Sequence, residues 1–263
     1  MSAVHDEPGL HEAARAALRC LDLTSLNDAD DEAAIARLCA RAQGAHGAVA
    51  AVCVWPRLAA HARRLLPPSI AVAAVANFPA GGTDIDAALR DVRQIVAAGA
   101  QEVDVVLPWR ALRDGDAVAS EALLRAVRAA CAGLRLKVIL ESGELQDEAL
   151  VARASTLALA AGADMLKTST GKTPHGATLP AAETMLRAIA AQARAPALAQ
   201  PGLKVSGGIR RVADVLPYFA LCRRHGGDAA LQPQRLRIGA SSLLDDIEAV
   251  LGGTAPAAAA GDY

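Results

Sequence analysis

Glu102-Val103-Asp104-Val105-Val106-Leu107 is the stretch on which the fold turns. Side chains alternate faces along a β-strand. Val103, Val105 and Leu107 therefore share one face, and Glu102 and Asp104 the other. The same alternation returns in Leu136-Lys137-Val138-Ile139-Leu140-Glu141, where Leu136, Val138 and Leu140 oppose Lys137, Ile139 and Glu141. Leu203 and Val205 oppose Lys204 and Ser206, and Leu21 and Leu23 oppose Asp22 and Thr24. A strand face that helices cover must be apolar. The polar face then looks into the interior of a closed parallel barrel.

The rest of the chain agrees with this assignment. Short apolar runs at Cys20–Thr24, Ala48–Trp55, Ile70–Asn77, Glu102–Pro108, Leu136–Ser142, Met165–Ser169, Gly202–Gly208 and Arg235–Ser241 read as strands. Ala/Leu/Arg stretches with helical spacing lie between them, among them Asp84–Ala98, Asp116–Ala132, Gln146–Ala161, Leu179–Ala193 and Arg210–Arg224. Eight such units predict an α/β fold, a (β/α)8 TIM barrel with an additional N-terminal helix. An open doubly wound sheet would usually carry a Gly-rich first turn, and Leu23–Leu26 has none. No shift in composition divides the chain, so residues 1–253 read as one domain and the Ala-rich residues 254–263 as a mobile tail.

Composition narrows the classes of function. Of 263 residues, 53% are hydrophobic and 21% charged, which excludes disorder. Aromatics are 2%, so Ala, Val, Leu and Ile must build the core. A formal net charge of −1 offers no global field for nucleic acid or an anionic membrane surface. No apolar run is long enough to span a bilayer. The N-terminal stretch lacks a basic-then-apolar leader pattern, and the five cysteines are widely spaced with no C-x-x-C. Both features point to a cytoplasmic protein with reduced thiols. The six histidines form no H-x-x-H or H-E-x-x-H, so no metal site is expected.

The 27 basic residues include four lysines: Lys137, Lys167, Lys172 and Lys204. Arginine supplies nearly all other positive charge, so each lysine stands where arginine would not serve. Barrel interiors are normally packed with branched apolar side chains. An interior holding Asp22, Asp104, Lys137, Glu141, Lys167 and Lys204 is unfavourable unless the charges pair, and points to chemistry. Lys167 lies on the sixth strand and is followed by polar residues and a glycine turn, Thr168-Ser169-Thr170-Gly171-Lys172, which places it at the C-terminal mouth where barrel active sites lie. Lys204 takes the matching place on the seventh strand. Two ammonium groups on neighbouring strands are expected to depress each other's pKa. An uncharged lysine attacks carbonyls and forms a Schiff base. Asp104 would move protons or serve as counter-ion to Lys137 or Lys204.

Three loops carry the residues of a phosphate site. They are Thr170-Gly171-Lys172, Gly207-Gly208 and Gly239-Ala240-Ser241-Ser242, the last opening a helix. Ala80-Gly81-Gly82 after Pro79 reads as a flexible loop. Cys53, near Trp55, reads as a small core residue, with aldehyde adduct formation as the other reading. Trp55, Trp109, Tyr218 and Phe219 read as packing residues.

The matching segments Leu21-Asp22-Leu23-Thr24, Asn77-Phe78-Pro79, Glu102-Val103-Asp104-Val105-Val106, Lys137 through Leu145, Lys167-Thr168-Ser169-Thr170-Gly171, Ser206-Gly207-Gly208-Ile209-Arg210 and Gly239-Ala240-Ser241-Ser242 occur in order within a span of roughly Leu21 to Leu251. Through them the sequence resembles the deoxyribose-phosphate aldolases, which are class I aldolases. The resemblance implies a (β/α)8 barrel that reversibly cleaves 2-deoxy-D-ribose 5-phosphate to acetaldehyde and D-glyceraldehyde 3-phosphate in deoxyribonucleoside catabolism. It implies Lys167 as the Schiff-base lysine, Lys204 as its pKa-lowering partner and Asp104 as the proton-relay acid. Gly171, Lys172, Gly207, Gly208, Ser241 and Ser242 would hold the phosphate, and Thr170 would also bind substrate. Asp22, Thr24 and Asn27 would lie near the substrate hydroxyls, with Lys137 and Glu141 in support. It implies no cofactor or metal, sugar-phosphate and aldehyde partners, and a homodimer or homotetramer. Some members end in a tyrosine that reaches the site, so Tyr263 is expected to assist proton transfer at the acetaldehyde methyl carbon. Three alternatives stay open on the residues: a Schiff-base aldolase for another sugar phosphate, a non-catalytic sugar-phosphate-binding barrel, and an isomerase using Asp104 as base.

Overall fold

The computed structural model describes residues 7–192 and 200–253. Eight parallel strands close into a barrel: β1 (Leu21–Thr24), β2 (Ala51–Val54), β3 (Ala71–Ala76), β4 (Glu102–Val106), β5 (Arg135–Ile139), β6 (Met165–Lys167), β7 (Gly202–Ser206) and β8 (Leu236–Ala240). Each strand pairs with its sequence neighbours, and β8 closes onto β1 with Ile238 opposite Leu21 and Gly239 opposite Asp22. This is the (β/α)8 TIM barrel that the strand parity predicts.

Helices form the outer layer. Side chains of Asp31, Asp84, Asp116, Asp147 and Thr178 each accept a backbone N–H in the first turn of the helix they precede. Caps of this kind are worth about 1 kcal/mol each. The apolar parity of every strand packs outward onto these helices, through residues such as Leu23, Val103, Val138, Leu166, Leu203 and Ile238, all buried. The expected N-terminal helix is Glu7–Cys20, and it packs against the last one, Leu243–Gly252.

Several boundaries differ from the sequence reading. Ala48 belongs to a two-residue ribbon, Gln43–Gly44 against Gly47–Ala48, and the second barrel strand starts at Ala51. The fifth strand stops at Ile139 because Glu141 takes a left-handed backbone, φ 53°, and turns its carboxylate toward the next loop. The turn after Pro79 is packed rather than loose: Gly81 is buried, and its N–H donates to the Asn77 carbonyl at 3.0 Å. Residues 254–263, including Tyr263, lie outside the described residues.

Candidate active site

The barrel interior is charged through its depth. On β4, Glu102 and Asp104 point inward; β1 gives Asp22, β5 Lys137, β6 Lys167, β7 Lys204 and β8 Arg237. All seven are buried. Register brings them together, because Asp104 faces Lys137, Lys167 faces Lys204, and Arg237 faces Lys204 on neighbouring strands.

Contacts within this network are short and unequal. Lys137 Nζ reaches three carboxylates: Glu102 at 2.6 Å, Asp22 at 2.8 Å and Asp104 at 3.0 Å. Lys204 Nζ reaches Asp22 at 2.6 Å and Asp104 at 2.8 Å. Arg237 holds Asp22 at 2.6 Å and grips both oxygens of Glu102, at 2.8 and 3.1 Å. Among the described residues, Lys167 Nζ has one carboxylate, Asp104, at 3.0 Å. Gly239 makes the room for this arrangement, since a Cβ there would stand 3.0 Å from Lys204 Cε.

Those contacts divide the lysines. Burial and the neighbouring Lys204 charge push the Lys167 pKa below that of an ordinary lysine, against the pull of Asp104. Burial alone would lower Lys204 as well, but Asp104 and Asp22 outweigh it and hold Lys204 above its ordinary value. Lys137 is raised in the same way by Asp104, Asp22 and Glu102. The expectation that Lys167 and Lys204 depress each other is therefore corrected. Lys204 stays cationic because two anions face it, and the depression falls on Lys167 alone. Although burial opposes it, the surrounding cations hold Asp104 well below the usual carboxylate range.

Above the network opens a cavity of about 300 Å³. Lys167 forms part of its wall, with Thr24, Asn27, Thr170, Gly171, Lys172, Gly207, Gly208, Ser241 and Ser242 around it. The three loops singled out in the sequence thus share one rim. Gly207 and Gly208 both have positive φ, 89° and 83°, a backbone that favours glycine and can turn successive N–H groups toward an anion. Ser242 N-caps the helix Leu243–Gly252 without a side-chain hydrogen bond to it. The acids in that first turn are engaged elsewhere, Asp246 with the Val212 N–H and Asp245 with Arg41. A helix N-terminus so arranged suits a phosphate.

Asp22, expected beside the substrate hydroxyls, instead sits below the cavity with its oxygens on Lys137, Lys204 and Arg237. Thr24 lines the cavity while its hydroxyl donates to the Asp22 carbonyl at 2.8 Å. Glu141 does not reach the ammonium groups as an ion pair. It accepts from the Thr170 hydroxyl at 2.6 Å and the Thr170 N–H at 3.1 Å, and so fixes the loop that follows Lys167. Burial raises its pKa against those bonds. Cys53 is buried with Leu26, Ala73 and Val75, and its thiol lies 3.9 Å from Asp104 Oδ2. Burial, reinforced by Asp104, pushes that thiol up.

Sequence reasoning missed Arg237 as an interior charge and left Glu102 without a partner. Both were visible by parity, since Leu236 and Ile238 flank Arg237 as Val103 separates Glu102 from Asp104. It also gave Ser206 and Thr168 no role in the site. The Thr168 hydroxyl accepts the Ser206 N–H at 3.0 Å, and the Ser206 hydroxyl donates to the Ser169 carbonyl, which ties the mouths of β6 and β7.

Chemically, the site offers an amine biased toward its uncharged form, a buried acid beside it, and an anion-binding rim above. Among the described residues, no group of three or more His, Cys, Asp or Glu is arranged to hold a metal ion. No helix of the described residues is long and apolar enough to cross a membrane.

Comparison with known proteins bears on the family and the fold. A family model described as DeoC/LacD family aldolase matches residues 16–247. A deoxyribose-phosphate aldolase from Agrobacterium fabrum strain C58 is 43% identical over 255 residues, covering 96% of each chain. Two solved structures share the fold: a provisionally assigned deoxyribose-phosphate aldolase from Toxoplasma gondii ME49 and a tetrameric one from Aeropyrum pernix. The first has a TM-score of 0.84 at 23% identity, covering 95% of this chain and 98% of that one. The second has a TM-score of 0.68 at 21% identity, covering 94% and 98%.

Proposed function

The chain belongs to the DeoC/LacD family of aldolases, and on that premise we propose that it reversibly cleaves 2-deoxy-D-ribose 5-phosphate to acetaldehyde and D-glyceraldehyde 3-phosphate through an imine on Lys167. The observation that carries this reading is the position of Lys167. Of the four bases in the buried network, it alone lines the cavity, and it has the fewest anions around it. A buried lysine in that state is a nucleophile for an aldehyde.

The steps follow from the groups present. The uncharged Lys167 nitrogen attacks C1 of the open-chain sugar, and loss of water gives a protonated imine. Deprotonation of the C3 hydroxyl then breaks the C2–C3 bond. Its electron pair moves into the imine to give an enamine, and glyceraldehyde 3-phosphate leaves. Protonation of the enamine carbon and addition of water release acetaldehyde and restore the amine. Asp104, beside Lys167, is the acid–base group nearest the new C–N bond, with Lys204 as its proton-sharing partner. Gly171, Lys172, Gly207, Gly208, Ser241 and Ser242 would hold the phosphate, so that binding energy far from the reacting bond supplies orientation. Thr24, Asn27 and Thr170 would face the sugar.

The reading extends to a cytoplasmic place in deoxyribonucleoside catabolism and to a homodimer or homotetramer, which light scattering of the purified protein would resolve. Its direct test is turnover. Purified protein incubated with 2-deoxyribose 5-phosphate should release acetaldehyde, measured by coupled reduction, and lose this activity in Lys167→Ala. Absence of acetaldehyde release by the unmodified protein contradicts the proposal.

A further inference from the structure

We propose that Arg237 is a positioning residue for the reactive amine: through Asp22 and Glu102 it supplies the positive charge that leaves Lys167 free to stay uncharged.

The buried part of the network contains three carboxylates, Asp22, Glu102 and Asp104, and four bases, Lys137, Lys167, Lys204 and Arg237, while a fifth base, Arg135, meets Glu102 only from the partly exposed edge. A buried cluster is most stable near neutrality. Three carboxylates balance three cations, so one base must give up its proton. Arg237 does not, because a guanidinium keeps its charge. Lys137 and Lys204 each touch two or more carboxylates, and Lys167 touches one. The uncharged base is therefore Lys167, and Arg237 is what makes the count of bases exceed the count of acids. Were Arg237 neutral, three lysines would face three carboxylates and Lys167 would be needed as the third cation.

Arg237 acts at a distance. It sits two strands from Lys167, with Lys204 between them in register. Parallel strands are about 4.8 Å apart, so roughly 10 Å separates the two positions. Its Nε donates to the Pro233 carbonyl at 2.6 Å, which fixes the guanidinium against the barrel floor. The other groups facing this part of the network are common to all the variants below. Arg135 approaches Glu102 at 3.4 Å from the partly exposed edge. Cys53 and Cys20 are thiols that burial pushes up, Cys20 to about 12. Glu141 is held by Thr170 rather than by a base.

This inference rests on the imine reading, and one experiment separates the two. The rate of imine formation with acetaldehyde, trapped by cyanoborohydride and mapped to Lys167, is measured against pH. Its acid limb marks protonation of Lys167. Arg237→Met should move that limb toward alkaline pH by about one pH unit, the size expected for one charge at such a distance. Glu102→Gln should move it toward acid. Arg237→Met combined with Glu102→Gln removes one charge of each sign and should return the limb near its original position, as should Arg237→Lys. A structural role alone would leave the limb unmoved in the singles or displace it furthest in the double. Either result overturns the proposal. If Arg237→Met fails to fold, an unshifted or alkaline-shifted limb in Glu102→Gln has the same force. Absence of any Lys167 adduct in the unmodified protein would instead refute the imine reading itself.

Discussion

Lys167 and Lys204 are register partners on β6 and β7 and reach the same Asp104 oxygen, at 3.0 and 2.8 Å, yet their pKa values are pushed in opposite directions. Asp22 makes the difference. It lies 2.6 Å from Lys204 and is the second anion that Lys167 lacks. One lysine becomes a fixed cation, and the other becomes the amine that this cation discourages from protonating.

Lys204→Met should therefore raise the pKa of Lys167. The amine would be protonated at neutral pH, and its uncharged fraction would fall about tenfold for every pH unit by which that pKa rises. We expect the acid limb of the pH–rate profile to move alkaline by about one pH unit or more, with turnover at pH 7 reduced about 10- to 100-fold. An unmoved limb would contradict the role given to Lys204.

Asp104→Asn separates binding of the carbonyl from proton transfer. Asp104 pulls the Lys167 pKa up, so its loss lowers that pKa further and leaves an amine that still attacks the carbonyl, with the imine formed more slowly for want of the acid–base group. Carbon–carbon cleavage should fall by about 10²–10⁴, the usual contribution of a positioned acid–base group. Lys137 and Lys204 would each lose an anion, and breaking buried pairs of this kind costs about 3–5 kcal/mol. Hydride trapping, turnover and denaturant unfolding measured on one preparation would test all three expectations.

Lys172→Ala tests the anion rim. A charge-assisted hydrogen bond to phosphate is worth about 1.5–3 kcal/mol. The KM for 2-deoxyribose 5-phosphate should rise about tenfold or more, while the kinetics with unphosphorylated 2-deoxyribose should hardly change. Equal losses on both sugars would place the phosphate elsewhere.

The network also sets a pH window for stability. Asp22, Glu102 and Asp104 are held below their unfolded-chain values of 3.8 and 4.5. Their contribution is full above those values and is lost as pH falls below about 4. Lys137 and Lys204 are held above 10.5, so theirs is full below that value and is lost as pH rises past it. Thermal unfolding should show a fall in Tm below about pH 4 in the unmodified protein. Asp22→Asn should have a lower Tm at pH 7, and its Tm should fall less steeply under acid conditions.

The barrel was legible because its outer face must be apolar, which leaves parity as a readable code. Glu102-Val103-Asp104-Val105 sorts itself into two faces without any knowledge of neighbours. The scarcity of lysine marked Lys167 and Lys204 for the same reason, since arginine serves where charge alone is needed. Parity fails on pairing. It puts Lys167 and Lys204 in one interior but cannot say that Asp22 and Asp104 both face Lys204, so mutual depression was the natural and incorrect expectation. Arg237 was hidden among many arginines that lie on helix surfaces. Asp22 shows a further limit, since an inward-facing acid near the mouth and one below the floor have the same parity. Strand ends were read too long where a loop residue such as Glu141 leaves the β conformation.

The central claim is that Lys167 is the amine that attacks the aldehyde. Borohydride reduction in the presence of acetaldehyde, followed by peptide mass mapping, tests it most directly. The expected result is an ethyl group on Lys167, with Lys137, Lys172 and Lys204 unmodified. An unmodified Lys167, or an adduct confined to Lys204, would contradict it.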